Sequence, residues 1–270
     1  MDAPKPWADC PLSTLAALRG VITDIDDTLT RAGALEPAAR AALHALHVAG
    51  VPVLAITGRP LGWSESFLES GPMAWPLRAI VAENGAVALI PEQGVLQIEF
   101  AQDAATRARN AVRLVEVLQN IERNVPGARR AQDSAGRVTD IAIDHSEFTT
   151  LDEKSIQRVV ALMQQAGMTA TVSSIHINGW YGEHDKLSGA RWMLQRLFGR
   201  ALDAEIGQWV YVGDSTNDQA MFAAFPQSVG VANLMHFAPQ LHTWPAWITR
   251  AECGQGFAEV AQALLAARRV

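Results

Sequence analysis

The chain has 270 residues, 49% of them apolar and 19% charged, a balance that excludes a disordered chain and supplies a sizeable core. Its 22 Lys and Arg against 28 Asp and Glu give a net charge of -6 without a basic run, which argues against nucleic acid or a membrane surface as partner. Cys10 and Cys253 are too few and too far apart for a disulfide framework or a zinc site. No apolar run approaches the roughly 18 residues of a membrane span, and residues 1–20 lack the basic start and apolar stretch of a signal peptide. The expectation is a soluble, cytoplasmic protein.

Residues 21–23 form a short strand-like run that ends in acids. Residues 37–49 read as a helix, with Pro37 in its first turn and Gly50 as its stop. Runs at 51–56 and 79–82 have the apolar character of strands buried on both faces, and the pattern returns at 209–212 and 228–232. Together they predict an α/β fold, a doubly wound Rossmann-like parallel sheet. The middle differs. A strand at 95–100 precedes a long helix with Leu114, Val117, Leu118 and Ile121 at helical spacing. Strand candidates follow at 128–132 and 137–144, then a helix with Ile156, Val159, Val160 and Met163 on one face, then a β-branched strand at 169–177. This β-α-β-β-α-β order, with turn residues Pro91 to Gly94 before it and Asn178, Gly179 and Gly182 after it, predicts an antiparallel sheet with two helices on one face. The expected organisation is a core of residues 1–88 and 185–270 with an inserted α/β cap at 89–184.

Polar residues gather where the core strands end. Residues 21–23 lead into Asp24, Asp26, Asp27 and Thr28, residues 53–56 into Thr57, Gly58 and Arg59, and residues 210–212 into Gly213, Asp214, Ser215, Thr216, Asn217 and Asp218. Open parallel sheets bind ligands beyond the carboxyl ends of their strands, so three strands deliver acids and hydroxyls to one edge. Carboxylates collected there repel one another unless a hard cation lies among them. Magnesium takes one or two protein carboxylates, keeps waters and binds phosphate oxygens. Thr57 and Lys186 complete a cradle for a phosphoryl group, and Asp24 and Asp26 are spaced for one to attack phosphorus while the other handles a proton. Singly, these motifs read as Asx turns, helix caps or a calcium loop. Their order, each after an apolar strand and with Lys186 before the last, points to phosphoryl transfer.

The set Asp24, Asp26, Thr28, then Thr57-Gly58-Arg59, Lys186 and Gly213-Asp214 with Asn217-Asp218 resembles the haloacid dehalogenase superfamily of phosphohydrolases. Asn84-Gly85-Ala86, the insertion between the second and third motifs, and Gly254 to Glu259 are similar to its IIB branch, the Cof-like and sugar-phosphate phosphatases. The resemblance implies Asp24 as nucleophile, forming an aspartyl-phosphate, and Asp26 as the acid that protonates the leaving alcohol and then activates water. It implies Mg2+ held by the Asp24 carboxylate, the Asp26 carbonyl and Asp214, with Asp218 in support. Thr57 and Lys186 would hold the phosphoryl group, with Gly58, Arg59, Asn84 and Asn217 around it. The implied activity is a phosphatase acting on a small phosphorylated metabolite, a sugar or glycoside phosphate. A phosphomutase of the phosphomannomutase type is the alternative, and a non-catalytic binding protein a more distant one. Asp27 stands where the family usually has Gly, and Leu187 where it often has Gly.

Outside these motifs, His176 and Asn178 alternate with Ile175 and Ile177, which gives that strand a polar face that could look down on the site. Trp63 and Trp180 are candidates to face a sugar ring. His44 and His47, three apart on a helix, read as a solvated face, and Arg129, Arg130 and Arg137 as exposed surface before a distal anion site.

Overall fold

The computed structural model describes residues 3–68, 71 and 74–268. The strands, in chain order, are Lys5–Pro6 (β1), Gly20–Thr23 (β2), Thr30–Arg31 (β3), Ala34–Leu35 (β4), Val53–Ile56 (β5), Ala79–Ala82 (β6), Val87–Glu92 (β7) and Val95–Phe100 (β8). They continue with Arg129–Arg130 (β9), Asp140–Asp144 (β10), Thr169–Val172 (β11), His176–Trp180 (β12), Trp209–Gly213 (β13), Gln227–Gly230 (β14) and Trp247–Ile248 (β15).

Nine of them form one sheet in the order β1-β15-β14-β13-β2-β5-β6-β7-β8, parallel from β1 to β6 and antiparallel beyond. The chain moves outward from β2 through β5 and β6, then returns to β13 on the other side of β2. Strand order therefore reverses between β2 and β13, the place where such sheets take ligands. Period-two alternation divides the core into two layers. Val21, Val53 and Ala55 pack under the helices Pro37–Val48 and Cys253–Ala267, whereas Ile22, Leu54 and Ile56 pack under Lys186–Phe198 and Gln219–Ala224. Each of these valine, leucine and isoleucine side chains contributes roughly 1.5–3 kcal/mol when fully buried. The N-terminal segment, to which the sequence assigned no role, adds β1 to the sheet edge and buries Trp7 edge-on against Trp247.

A second sheet, β11-β12-β10-β9, is antiparallel and carries the helices Ala104–Asn124 and Glu153–Gln165 on one face. Asp103 and Asp152 cap those helices, accepting from the backbone N–H groups of Thr106 and Ser155. Ile141, Ile143 and Ile177 point into the helices. Asp140, Asp144, His176 and Asn178 point away from them, and the sheet turns this polar face toward the core.

The α/β fold with its large, mostly parallel sheet is as predicted, and three elements differ. Residues 95–100, read as the first strand of the inserted unit, pair with β7 in the large sheet, because Gln93 and Gly94 at φ 51° and 79° make a tight two-residue hairpin. The single strand expected at 169–177 is a hairpin turning at residues 173–175, where the Ser173 hydroxyl accepts from the Ile175 and His176 N–H groups. The pair of strands expected at 128–132 and 137–144 shortens to β9 and β10, with a 3-10 turn at Gln132–Gly136 between them. Among the described residues no helix is long and apolar enough to cross a membrane.

Candidate active site

β2 and β13 are neighbours in parallel register, so the residues that follow them meet at the sheet's carboxyl edge. Asp24 donates its N–H to the Val212 carbonyl at 2.9 Å, tying the first motif to the third strand. Lys186 opens the helix Lys186–Phe198, where Asp185 and Ser188 form a reciprocal capping box that fixes the first turn. From there its ammonium donates to Asp24 Oδ1 and Asp218 Oδ1, both at 2.7 Å, and to Asn217 Oδ1 at 3.3 Å. Burial favours loss of the Lys186 proton, but Asp218 and Asp24 hold the group well on the charged side of its ordinary value.

Asp24, Asp214 and Asp218 are buried, and their oxygens lie within 4.8 Å of one another. Asp218 is saturated. Its Oδ1 accepts from Lys186 and from the Tyr211 hydroxyl, and its Oδ2 from the N–H groups of Asp214 and Ser215 at 2.9 and 3.1 Å. It clamps the loop, which fits a supporting place better than a direct ligand. Asp214 is the opposite case: among the described residues its fully buried Oδ1 has no partner, and its Oδ2 meets only Asn233 at 3.5 Å. Burial pushes the Asp24 carboxyl up to about 7 against the pull of Lys186. Burial with Asp24 and Asp218 raises Asp214 well above the usual carboxylate range. Three carboxylates against one ammonium leave negative charge without a counterion, and an orphaned carboxylate oxygen faces it. A hard divalent cation fits that donor set.

The second motif supports the same edge. Thr57 is buried, and its hydroxyl accepts from the Arg59 N–H at 3.0 Å. The Asn84 N–H donates to the Thr57 carbonyl at 2.9 Å. Asn84 sits in the left-handed region at φ 54°, and its buried Nδ2 has no partner among the described residues. A Cβ on Gly58 would stand 3.3 Å from both Asn84 and Asn178, so the loop is tightly enclosed. Asp27, in the position usually held by Gly, adopts φ 50°, which Asp tolerates better than most residues. Its carbonyl accepts from Asn233 Nδ2 at 2.9 Å.

Asp26 does not join the acid cluster through its side chain. Both of its oxygens accept from Arg59, at 3.0 to 3.1 Å. Arg59 reaches on across the seam between the two sheets, to Asp133 at 3.2 Å and Glu147 at 2.6 Å, and its guanidinium lies over Trp63 at 4.8 Å. His176 stands behind this group, with Nε2 2.9 Å from Glu147. Asn178 donates to the Gly58 carbonyl at 3.3 Å and to Asp140 at 3.1 Å. Both therefore face the Thr57-Gly58-Arg59 loop rather than the Asp24 cluster. Two expectations are corrected. Trp180 is buried, donates to the His184 carbonyl and stacks on His184, so it faces no ligand. Arg137 is not surface: it is buried between Asp133 and Asp140 and donates to the Gly58 carbonyl. Arg129 and Arg130 are exposed, as are His44 and His47.

Sequence reasoning missed Asp133 and Glu147 and the bonding role of Glu83, whose partners across the seam, Arg59 and Val138, lie 74, 88 and 55 residues away. It also missed Tyr211 and Asn233. Asn233 had a usable signal, since it follows β14 as the known motifs follow their strands.

Residues 21–119 match the haloacid dehalogenase-like hydrolase family. No curated protein sequence matches the chain. Among solved structures, the chain is similar to the sucrose-phosphatase of Synechocystis, solved with sucrose and phosphate, at TM-score 0.65 and 15% identity over 92% of this chain and 98% of that one. It is similar to a trehalose-6-phosphate phosphatase related protein at TM-score 0.57 and 16% identity, covering 93% and 97%. It is also similar to a haloacid dehalogenase-like hydrolase of B. subtilis at TM-score 0.60 and 15% identity, covering 91% and 99%. At such identities the likeness is one of fold.

Proposed function

From the match of residues 21–119 to the haloacid dehalogenase-like hydrolase family, we propose that the chain is a magnesium-dependent phosphatase acting on a small phosphorylated metabolite, a sugar or glycoside phosphate. The observation that carries the reading is the buried set of Asp24, Asp214 and Asp218 around Lys186, with one Asp214 oxygen left unpartnered. Asp24 and Asp214, with the Asp26 carbonyl, would hold Mg2+. Bound there, the ion would offset the carboxylates and draw charge from the phosphoryl oxygens.

The chain's own residues divide the remaining work. Asp24 attacks phosphorus, the bond from phosphorus to the leaving oxygen breaks, and Asp26 gives that oxygen a proton. Water then yields a proton to Asp26 and attacks phosphorus, releasing phosphate and restoring Asp24. Lys186 holds the Asp24 carboxylate in place and, with Thr57 and Asn217, faces the transferring group. To serve, Asp26 turns from Arg59, whose charge Asp133 and Glu147 continue to offset. The unit of residues 89–184, less the strands at its start, acts as a cap that excludes water and selects the leaving group.

A phosphomutase needs several free cations for a second phosphate, and the pairing of Arg59 and Arg137 with carboxylates favours the phosphatase. The test is phosphate release from a panel of sugar, glycoside and aryl phosphates, with Mg2+ and with a chelator. Release that needs Mg2+ and disappears in Asp24→Asn is expected; release from no ester on the panel contradicts the proposal.

A further inference from the structure

The polar face of the second sheet meets the core beside Asp26, and the charges there are unequal. Two guanidinium groups, Arg59 and Arg137, stand in the seam. Both are buried and committed, Arg59 to Asp26, Asp133 and Glu147, and Arg137 to Asp133 and Asp140. No cation of this cluster is left to receive a second anion.

Glu147 is placed with care. Asp144, at the end of β10, accepts from the N–H groups of Ser146, Glu147 and Phe148 at 2.9 to 3.1 Å, which folds the following loop into a fixed turn. That turn aims Glu147 at Arg59 and His176. Burial alone would raise its carboxyl, but His176 and Arg59 hold it down to about 2. It is ionised at any working pH, so the imidazole Nε2 donates to it. A firm acceptor, braced on two sides, therefore shares Arg59 Nη2 with Asp26, at 2.6 and 3.0 Å.

Resting on the phosphatase reading above, we infer that Glu147 is a specificity-determining residue that favours uncharged, hydroxyl-bearing leaving groups and rejects those with a second anionic group. Its carboxylate can accept from hydroxyls of an alcohol. Against a carboxylate or a second phosphate it presents like charge in a partly buried seam, an arrangement that discriminates by repulsion as much as by attraction.

Matched pairs of esters test this: glycerol phosphate against phosphoglycerate, and glucose phosphate against glucose bisphosphate, with kcat/KM measured for each in Mg2+. The wild-type enzyme is expected to prefer the member with the uncharged leaving group in each pair by roughly tenfold or more. Glu147→Gln should shrink that ratio several-fold, chiefly through KM, and Glu147→Lys should shrink it further. Equal cleavage of both members by the wild type would overturn the inference while leaving the phosphatase reading intact. So would a Glu147→Gln variant that lowers both members by the same factor, the signature of a residue that merely holds the cap shut. If no ester of any kind is cleaved, the phosphatase reading fails and takes this inference with it.

Discussion

Asp214 concentrates the chemistry of the site in one side chain. It is buried with two other carboxylates, one of its oxygens has no partner, and its carboxyl is raised well above the usual range. In the metal-free protein the buried group favours its proton over its charge, a cost that a bound cation would remove. Asp214→Asn is therefore expected to stabilise the metal-free protein by on the order of 1–2 kcal/mol. It should also weaken Mg2+ binding by roughly a hundredfold. Calorimetric titration and thermal melts with and without Mg2+ check both halves: a variant no more stable than wild type without Mg2+ would refute the first, and one whose melt rises with Mg2+ as much as the wild type's would refute the second. Asp24 adds a pH dependence. Its carboxyl, pushed up to about 7, binds a proton below that pH and must shed it to hold the ion. Mg2+ affinity should therefore fall roughly tenfold per pH unit below about 7.

His184 makes the contrary case away from the acids. Burial holds its imidazole down to about 4, with Asp185 pulling weakly the other way. The group is a depressed base, so its contribution is complete above the unfolded value near 6.5 and is lost as pH falls through about 4. Between pH 7 and pH 5 it should remove on the order of 2 kcal/mol of stability. Urea unfolding of wild type and His184→Asn at the two pH values isolates that part, since the acid cluster is common to both proteins.

At the scale of elements, the turn Glu83–Gly85 and the helix Lys186–Phe198 hold the site to tolerance. Gly85 has φ 109°, and a Cβ there would lie 2.1 Å from the Asp185 carbonyl oxygen, one residue before Lys186. Gly85→Ala must push that helix start away. We expect a loss of about 3 kcal/mol in stability and of about a hundredfold in kcat, read from urea melts and ester hydrolysis.

The same elements show what a sequence can reveal. Asp24, Thr57 and Asp214 were legible because each follows a strand that is apolar on both faces, and parallel strands bring their ends together. The strand at 95–100 was read into the wrong sheet because its own residues do not say which partner the hairpin at Gln93 and Gly94 selects. The turn at Ser173 was hidden between β-branched runs that read as one strand. Glu147 left no signal at all, since its role is set by an arginine 88 residues earlier.

Across the whole molecule, the two sheets are joined by buried polar contacts rather than by apolar packing alone. The Glu83 carboxylate, buried in the core turn, accepts from the N–H groups of Leu61, Val138 and Thr139 and from the Thr139 hydroxyl. Thr216 donates its hydroxyl to the Val172 carbonyl at 2.6 Å, closing the seam on the other side. Glu83→Ala would leave those donors buried and unsatisfied, at a cost of about 3 kcal/mol or more. Its expected mark is faster amide exchange at Val138 and Thr139 and a less cooperative melt, because the second sheet loses its tether to the first.

The net charge of -6 also takes on a different meaning at this scale. Much of it is gathered at one sheet edge, where a bound cation would meet it, and one seam, where two arginines do, so an acidic chain could present phosphate with a favourable pocket. The central claim is that Asp24 carries the phosphoryl group and Asp26 handles the protons. Nitrophenyl phosphate separates these roles, because its leaving group needs no proton whereas the second step still needs a base. Rapid mixing of Asp26→Asn with nitrophenyl phosphate and Mg2+ should release a burst of nitrophenolate close to one per enzyme, followed by a slow phase, and Asp24→Asn should release none. Slow linear release without a burst in Asp26→Asn, at a rate that Asp24→Asn matches, would contradict the account.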